Sequence, residues 1–280
     1  MMYPEYDIDS YRRDYLTLLK QTNNHYGTEI INLDSFGKTF SYHRWLHPYQ
    51  GDWELKEIFA DDILENLSKI ITPDSTVIDI GAQTGNMSVA YALFAKKVIS
   101  FEPNPAAFEI LEKNSEIHTN IIPLNYAISD EDGALKFHYS DAGLCNGGFA
   151  TRTEFGIGVT GHTVPVDVVA VNLERYIEEN NVAIDNISLI KIDAEGHDKD
   201  ILKTLRKTID EHKPVLITEI YTGSSKNEIA ELMSVVHSMG YKIYDEDKND
   251  ADIDNLGEEV KTPNDINPRS GHNLICIYDS

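Results

Sequence analysis

The stretch Val77-Ile78-Asp79-Ile80-Gly81-Ala82-Gln83-Thr84-Gly85-Asn86 is an apolar run that ends in two glycines and leads into a helical pattern. A strand of this kind delivers Asp79 to its carboxyl end, and the glycines let backbone pass close to a ligand before the helix begins. Two phosphate-binding readings fail on particular residues. A dinucleotide loop of the form G-x-G-x-x-G needs its second glycine where Gln83 stands, and a P-loop needs Gly-Lys-Ser/Thr where the chain has Gly85-Asn86-Met87. An acidic residue ahead of the first glycine also repels phosphate, and it suits the ammonium of an amino-acid-bearing ligand.

Downstream, Lys97 to Phe101 forms a second apolar run that closes on Glu102-Pro103-Asn104. A carboxylate about 20 residues past a glycine loop is placed to accept hydrogen bonds from a ribose diol. Asp79 and Glu102 together describe an adenosine-bearing ligand with a positive amino-acid end and no phosphate. S-adenosylmethionine meets that description.

From Ser75 onward, short β-rich runs alternate with amphipathic helical runs, the pattern of a largely parallel sheet covered on both faces. Strands are expected at Thr76 to Ile80, Lys97 to Phe101, Ile121 to Leu124, Ser188 to Ile192 and Val215 to Ile220. Tyr241 to Tyr244 and Asn273 to Tyr278 complete seven strands, the last antiparallel. Helices are expected near Asn86 to Ala95, Pro105 to Asn114, Leu173 to Asn180, Lys199 to Asp210 and Lys226 to Met239. Residues 1–72 read as an amino-terminal cap of helix, hairpin and helix, the hairpin turning around Phe36-Gly37-Lys38, and residues 73–280 as the main α/β domain. Two insertions interrupt the domain. Residues 143–163 are glycine-rich with Phe149, Phe155 and His162, a composition suited to a flap over a ligand, and residues 245–272 are acidic and polar.

The fourth strand of the domain runs into Lys191-Ile192-Asp193-Ala194-Glu195-Gly196-His197-Asp198, which puts Asp193, Glu195 and Asp198 in the crevice where open α/β sheets bind ligands. Asp198 also suits a helix N-cap. Glu219 is a lone acid in the next apolar strand, where burial requires a partner. His197 reads either as a general base or as a surface histidine at a helix start. The string from Asp250 imitates a calcium loop but has Asn255 where glycine is required and Lys261 where glutamate is.

These segments, with Ala127-Ile128-Ser129-Asp130, resemble in order and spacing the FkbM family of S-adenosylmethionine-dependent methyltransferases. The resemblance runs from about Glu54 to Asp245, and Lys-Ile-Asp-x-Glu-Gly is its most specific part. It implies a Rossmann-like class I fold and methyl transfer to a hydroxyl oxygen of a sugar, glycan or natural product. Cofactor contacts are expected from Asp79, Gly81, Ala82, Gly85, Asn86, Glu102, Pro103, Asn104 and Ala127. Asp193 is the first choice for catalysis, followed by Glu195, His197 and Glu219. A divalent cation bridging Asp193 and Glu219 is a variant that is not favoured, and no metal ligand is assigned. Gln83, His197 and Asp198 depart from the family pattern, where Asn, a small residue and Glu are usual. A non-catalytic S-adenosylmethionine-binding module is the rival reading, and a dinucleotide oxidoreductase is disfavoured by Gln83.

Charge limits the partners. Across 280 residues, 47 acidic against 24 basic side chains leave a net charge of −23. That argues against nucleic acid or an anionic membrane held through a basic face, and the partner that the resemblance implies is a small-molecule or glycan acceptor. Two cysteines, Cys145 and Cys276, supply neither a disulfide framework nor a four-cysteine zinc site, so a reducing cytoplasm fits. No apolar run approaches the roughly 20 residues of a spanning helix, and the chain is expected to be a soluble monomer or homodimer.

Overall fold

A computed structural model describes residues 27–46, 52–139, 147–149, 164–180, 182–221, 224–245, 252–266 and 272–279. The amino-terminal hairpin consists of β1 (Thr28–Ser35) and β2 (Lys38–Trp45), paired antiparallel about Phe36-Gly37. Two helices follow, α1 (Asp52–Ile58) and α2 (Asp61–Ile70), where one continuous helix was expected. The break falls at Phe59-Ala60, and Ala60 is extended. Asp61 then accepts bonds from Ser35 Oγ at 2.7 Å and Phe36 N at 2.6 Å, which tethers the hairpin turn to the start of α2. The helix expected ahead of the hairpin lies outside the described residues.

The main sheet has seven strands in the order β12-β13-β11-β10-β3-β4-β5, built from β3 (Thr76–Ile80), β4 (Lys97–Phe101), β5 (Ile121–Leu124), β10 (Ile187–Ile192), β11 (Val215–Ile220), β12 (Tyr241–Asp245) and β13 (His272–Tyr278). β13 alone runs against the direction of the other six strands of this sheet, as the sequence predicts. Every residue of β3 is buried, the signature of a central parallel strand covered on both faces. Alternation divides the core accordingly. Ile78 and Ile80 join Ile190, Ile192 and the helices α6 (Asp198–Thr204) and α8 (Lys226–Ser238) on one face. Val77 joins Val98, Leu189, α2 and α3 (Asn86–Ala92) on the other.

Helix α4 (Pro105–Ile117) follows β4, and α5 (Leu173–Glu179) precedes β10. The helix expected over Lys199 to Asp210 is two, α6 and α7 (Arg206–His212), joined at the fully buried Leu205. A second sheet escaped the sequence reading. Its order is β6-β9-β7-β8, from β6 (Ala127–Ile128), β7 (Gly133–Tyr139), β8 (Gly147–Phe149) and β9 (Val164–Val171). The expected flap at residues 143–163 therefore contributes β8, and apart from those three residues it lies outside the described chain. The acidic insertion is partly packed. Val260 and Ile266 are buried, Val260 N bonds Ile243 O at 2.8 Å, and Asp252 pairs with Lys69 at 2.8 Å. With Asp254 also 3.3 Å from Lys69, the residues that imitate a calcium loop face an ammonium. Among the described residues, no helix is long and apolar enough to cross a membrane.

The amino-terminal hairpin shares the core of the main domain through Phe40 and Tyr42, and the α1 segment does so through Leu55 and Phe59. Asn114, fully buried on α4, is the polar fastening: Oδ1 accepts from His43 N at 2.7 Å, and Nδ2 donates to His43 O at 3.2 Å and Thr84 O at 2.9 Å. Asn114→Ala leaves these groups without partners and should cost about 2–4 kcal/mol. Thermal melts followed by tryptophan fluorescence, which reports Trp45 and Trp53, and by far-UV circular dichroism should fall together, as for one cooperative unit. Separate transitions would show a cap that folds independently.

Candidate active site

The turn from β3 into α3 is left-handed at three places, Gly81 (φ 78), Gln83 (φ 49) and Gly85 (φ 84). A Cβ on Gly81 would stand 2.0 Å from the carbonyl oxygen of Asp193, so β10 and the loop meet backbone to backbone there. A Cβ on Gly85 would stand 2.7 Å from Leu111 Cδ1. Both glycines are needed first for packing of the loop against the protein itself. Gln83 takes the left-handed conformation without being glycine, a cost of order 1 kcal/mol. In that conformation its N–H donates to Glu102 Oε2 at 2.8 Å.

Glu102 is buried at the end of β4 and also accepts from Asn104 N at 2.7 Å. Burial pushes its carboxyl up to about 7 against the pull of those two backbone donors. Asn104 caps α4 by accepting from Ala106 N at 3.0 Å.

Asp79 does not reach the ligand crevice. It has no exposed surface: strand alternation turns it with Val77 toward α3, where Oδ2 accepts from Ser88 Oγ at 2.5 Å and Ser88 meets Ser100 at 2.9 Å. Burial holds its carboxyl above the ordinary range, and Oδ1 has no hydrogen-bond partner. Across the sheet, Lys191, Asp79 and Ser100 stand in register on three adjacent strands. Lys191 Nζ lies 3.9 Å from Asp79 Oδ1, 3.2 Å from Asp193 Oδ2 and 3.3 Å from Gly81 O. The neighbouring carboxylates of Asp193 and Asp79 keep this buried lysine charged, outweighing desolvation.

Beyond β10, Asp193 N bonds Ile80 O at 3.0 Å and Glu195 is left-handed (φ 50), followed by Gly196 (φ 92). His197, not Asp198, is the N-cap residue of α6. Asp198 is the first helical residue, and its Oδ1 accepts from Thr218 Oγ1 at 3.1 Å and Glu219 N at 3.0 Å, which fastens α6 to β11. Burial, then the charge of Asp193, raises the Asp198 carboxyl to about 7. Glu219 is held well above the carboxylate range by burial, then by the charges of Asp193, Glu195 and Asp198, and its Oε2 is buried without a hydrogen-bond partner. At neutral pH it is a carboxylic acid.

A cavity of about 410 Å³ opens at this edge of the sheet. Of the expected cofactor residues, Gly81, Asn86, Glu102, Pro103 and Ala127 line it, and of the expected catalytic residues Asp193, Glu195 and Glu219 do. Asp79, Ala82, Gly85, Asn104 and His197 are not among its walls. Gln83, Lys191 and Phe137 are walls that the sequence reading assigned no role. Lys191 carried a legible signal, since a lysine inside an apolar strand needs partners as Glu219 does. Phe137 belongs to the unforeseen second sheet. Among the described residues, no group of three or more His, Cys, Asp and Glu side chains is arranged to hold a metal ion.

Comparison with known proteins bears on this site. The sequence model of the methyltransferase FkbM domain matches residues 79–243. No curated protein matches the chain. Among solved structures, the methyltransferase FkbM of Methylobacillus flagellatus superposes with a TM-score of 0.45 at 14% identity, covering 96% of this chain and 60% of that one. The chain thus spans 60% of that protein's length. Precorrin-6y C5,15-methyltransferase of Geobacter metallireducens gives 0.40 at 11% identity, over 78% of this chain and 87% of that one. A Streptococcus mutans protein described as a methyltransferase, in complex with S-adenosylhomocysteine, gives 0.41 at 13%, over 81% and 98%.

The raised carboxyls make the unliganded fold pH-dependent. The folded protein holds protons on Glu102 and Asp198 that the unfolded chain has released, so their contribution is complete below about pH 4 and is lost as pH rises through about 7. Denaturant titrations between about pH 5 and pH 8 should show stability falling as pH rises, by roughly 3 kcal/mol for Glu102 alone. Glu102→Gln should remove that share of the slope. A stability flat or rising over the window would contradict the burial cost assigned to these acids.

Proposed function

The chain belongs to the FkbM methyltransferase family, and on that premise we propose that it moves the methyl group of S-adenosylmethionine onto a hydroxyl oxygen of a sugar, glycan or natural-product acceptor. The observation that carries the reading is one cavity lined by both Glu102 and Asp193, a ribose acceptor and a proton acceptor. Its size lies within the range of small-ligand pockets. The donor set fits the cofactor: Glu102 is held by two backbone N–H groups with acceptor capacity to spare for a diol, and acidic walls suit a sulfonium and an ammonium. Asp79 enters this reading only indirectly, through Ser88 and Lys191.

When bound, S-adenosylmethionine supplies an electrophilic methyl on a good leaving group. The chain's own residues do the rest. Gln83 and Asn104 aim the Glu102 carboxylate, and the left-handed turns at Gln83 and Glu195 shape the two loops on either side of the β3–β10 seam. Asp193 accepts the hydroxyl proton as the oxygen attacks, while Lys191 compensates its charge. Glu219, protonated, has a hydrogen to donate to Asp193 or to an acceptor oxygen. Holding the hydroxyl in line with the methyl group accounts for much of the acceleration expected of such a site. The charge of −23 favours an uncharged hydroxyl acceptor over nucleic acid, and the two cysteines support our assignment to the reducing cytoplasm.

Two measurements test this reading. A ribose diol donates more strongly to Glu102 as its carboxylate than as its acid, so calorimetry should find S-adenosylmethionine bound more weakly near pH 6 than near pH 8, by up to about tenfold. Binding of NAD instead would exclude the reading. With labelled cofactor and a panel of sugars and glycans, Asp193→Asn should lower kcat by about 10²-fold or more and leave cofactor affinity nearly unchanged. Normal turnover by that variant would remove Asp193 from the chemistry, and cofactor binding with no turnover on any hydroxyl acceptor would favour a binding module.

A further inference from the structure

Lys191 is the single basic side chain among the described cavity walls, and it is already engaged on three sides. Its ammonium contacts the Gly81 carbonyl at 3.3 Å and the Asp193 carboxylate at 3.2 Å, and lies 3.9 Å from the buried Asp79. Only 8% of the residue is exposed. With donors spent on the loop and on Asp193, it is poorly placed to capture an anionic group of a substrate. The geometry is that of an anchor spanning the seam between β3 and β10, from the cofactor-loop carbonyl to the carboxylate at the end of the neighbouring strand.

We propose that Lys191 is a positioning residue: it fixes the Asp193 carboxylate relative to Gly81, and so relative to whatever that loop holds, while Asp79 balances its charge from below. This rests on the methyl-transfer reading above. The Asp193 side chain is 37% exposed at the end of a strand, where rotamer freedom is the default, and attachment to the loop through Lys191 ties its position to the methyl donor. Asp79 belongs to the device because a buried ammonium facing Asp193 alone would leave charge uncompensated on its inner side. The other ionisable groups facing Lys191 are Glu219 from β11 and Glu102 from the end of β4.

Lys191→Met alone strands the Asp79 carboxyl in the core and is at risk of not folding, so the decisive variant is Lys191→Met combined with Asp79→Asn, read against Asp79→Asn alone and Lys191→Arg. In the double variant kcat should fall by about tenfold or more while the Kd for S-adenosylmethionine stays within about threefold, and the acid limb of the kcat profile should move upward by about one pH unit. Lys191→Arg, which keeps the charge with altered reach, should recover much of the loss. Unchanged kcat and an unmoved limb would overturn the proposal. Loss of cofactor binding in proportion to kcat would overturn it too, since Lys191 would then serve the loop alone. If the unmutated protein transfers methyl to no hydroxyl, the failure belongs to the functional reading, and the anchor is judged by a crystal structure of the double variant. An Asp193 carboxylate turned away from Gly81 would support the anchor, and one left in place would overturn it.

Discussion

The carbonyl oxygen of Asp193 lies where a side chain at residue 81 would begin. That contact, with a Cβ on Gly81 falling 2.0 Å from the oxygen, sets how closely β3 and β10 run where the sheet opens. Much of the site follows from it. The Asp193 N–H reaches Ile80 O, the Gly81 carbonyl comes within reach of Lys191, and the loop beyond swings toward Phe101, whose carbonyl receives both Gly81 N and Ala82 N. A side chain at position 81 would have to push apart two backbones that parallel pairing holds in register. The glycine is therefore a demand of strand packing before it is a demand of any ligand.

Around that seam the protein keeps ionisable groups where an apolar core would be more stable. Asp79, Glu102, Lys191, Asp198 and Glu219 are buried or nearly so, and Gln83 and Glu195 hold backbone conformations that L-residues seldom adopt. Such costs persist only where surrounding structure over-determines them, and here the two packed faces of the sheet do so. The cofactor and catalytic ends share one charge network, since Lys191 faces Asp79, Asp193, Glu219 and Glu102. A change of protonation at one end is felt at the other.

The fold was legible because its signals are local and repeated. All seven strands of the main sheet appear in the sequence as apolar runs punctuated by glycine, proline or carboxylates, and Gly240 marks the end of α8 with a φ of 83. The second sheet was not legible. Pro165 sits inside β9 and reads as a strand breaker, and β6 has only two residues, too few for a period. In the site, Glu102, Asp193 and Glu219 could be placed at the crevice because each closes or nearly closes a strand. Asp79 misled because its position in the strand, the fourth of five, matters less than its parity: it shares the face of Val77, which packs under α3. The role of Asp198 depends on Thr218 and on the Glu219 N–H, partners 20 and 21 residues away that no spacing rule reveals.

The second sheet leaves and rejoins the main chain path at a single place. β6 pairs in parallel with the end of β9, Ala127 against Ala170 and Ile128 against Val171, so the entry and exit of the intervening segment lie side by side. Phe137, from β7 within that segment, is part of the cavity wall. A stretch of chain with adjoining ends behaves as a cassette: it can be lengthened, shortened or exchanged with little displacement of the strands that flank it. Gly81, Glu102, Asp193 and Lys191 all lie outside it. Exchanging that segment would alter the wall carrying Phe137 and leave the charged seam where it is, so what the cavity accepts is mechanically separable from the groups that react.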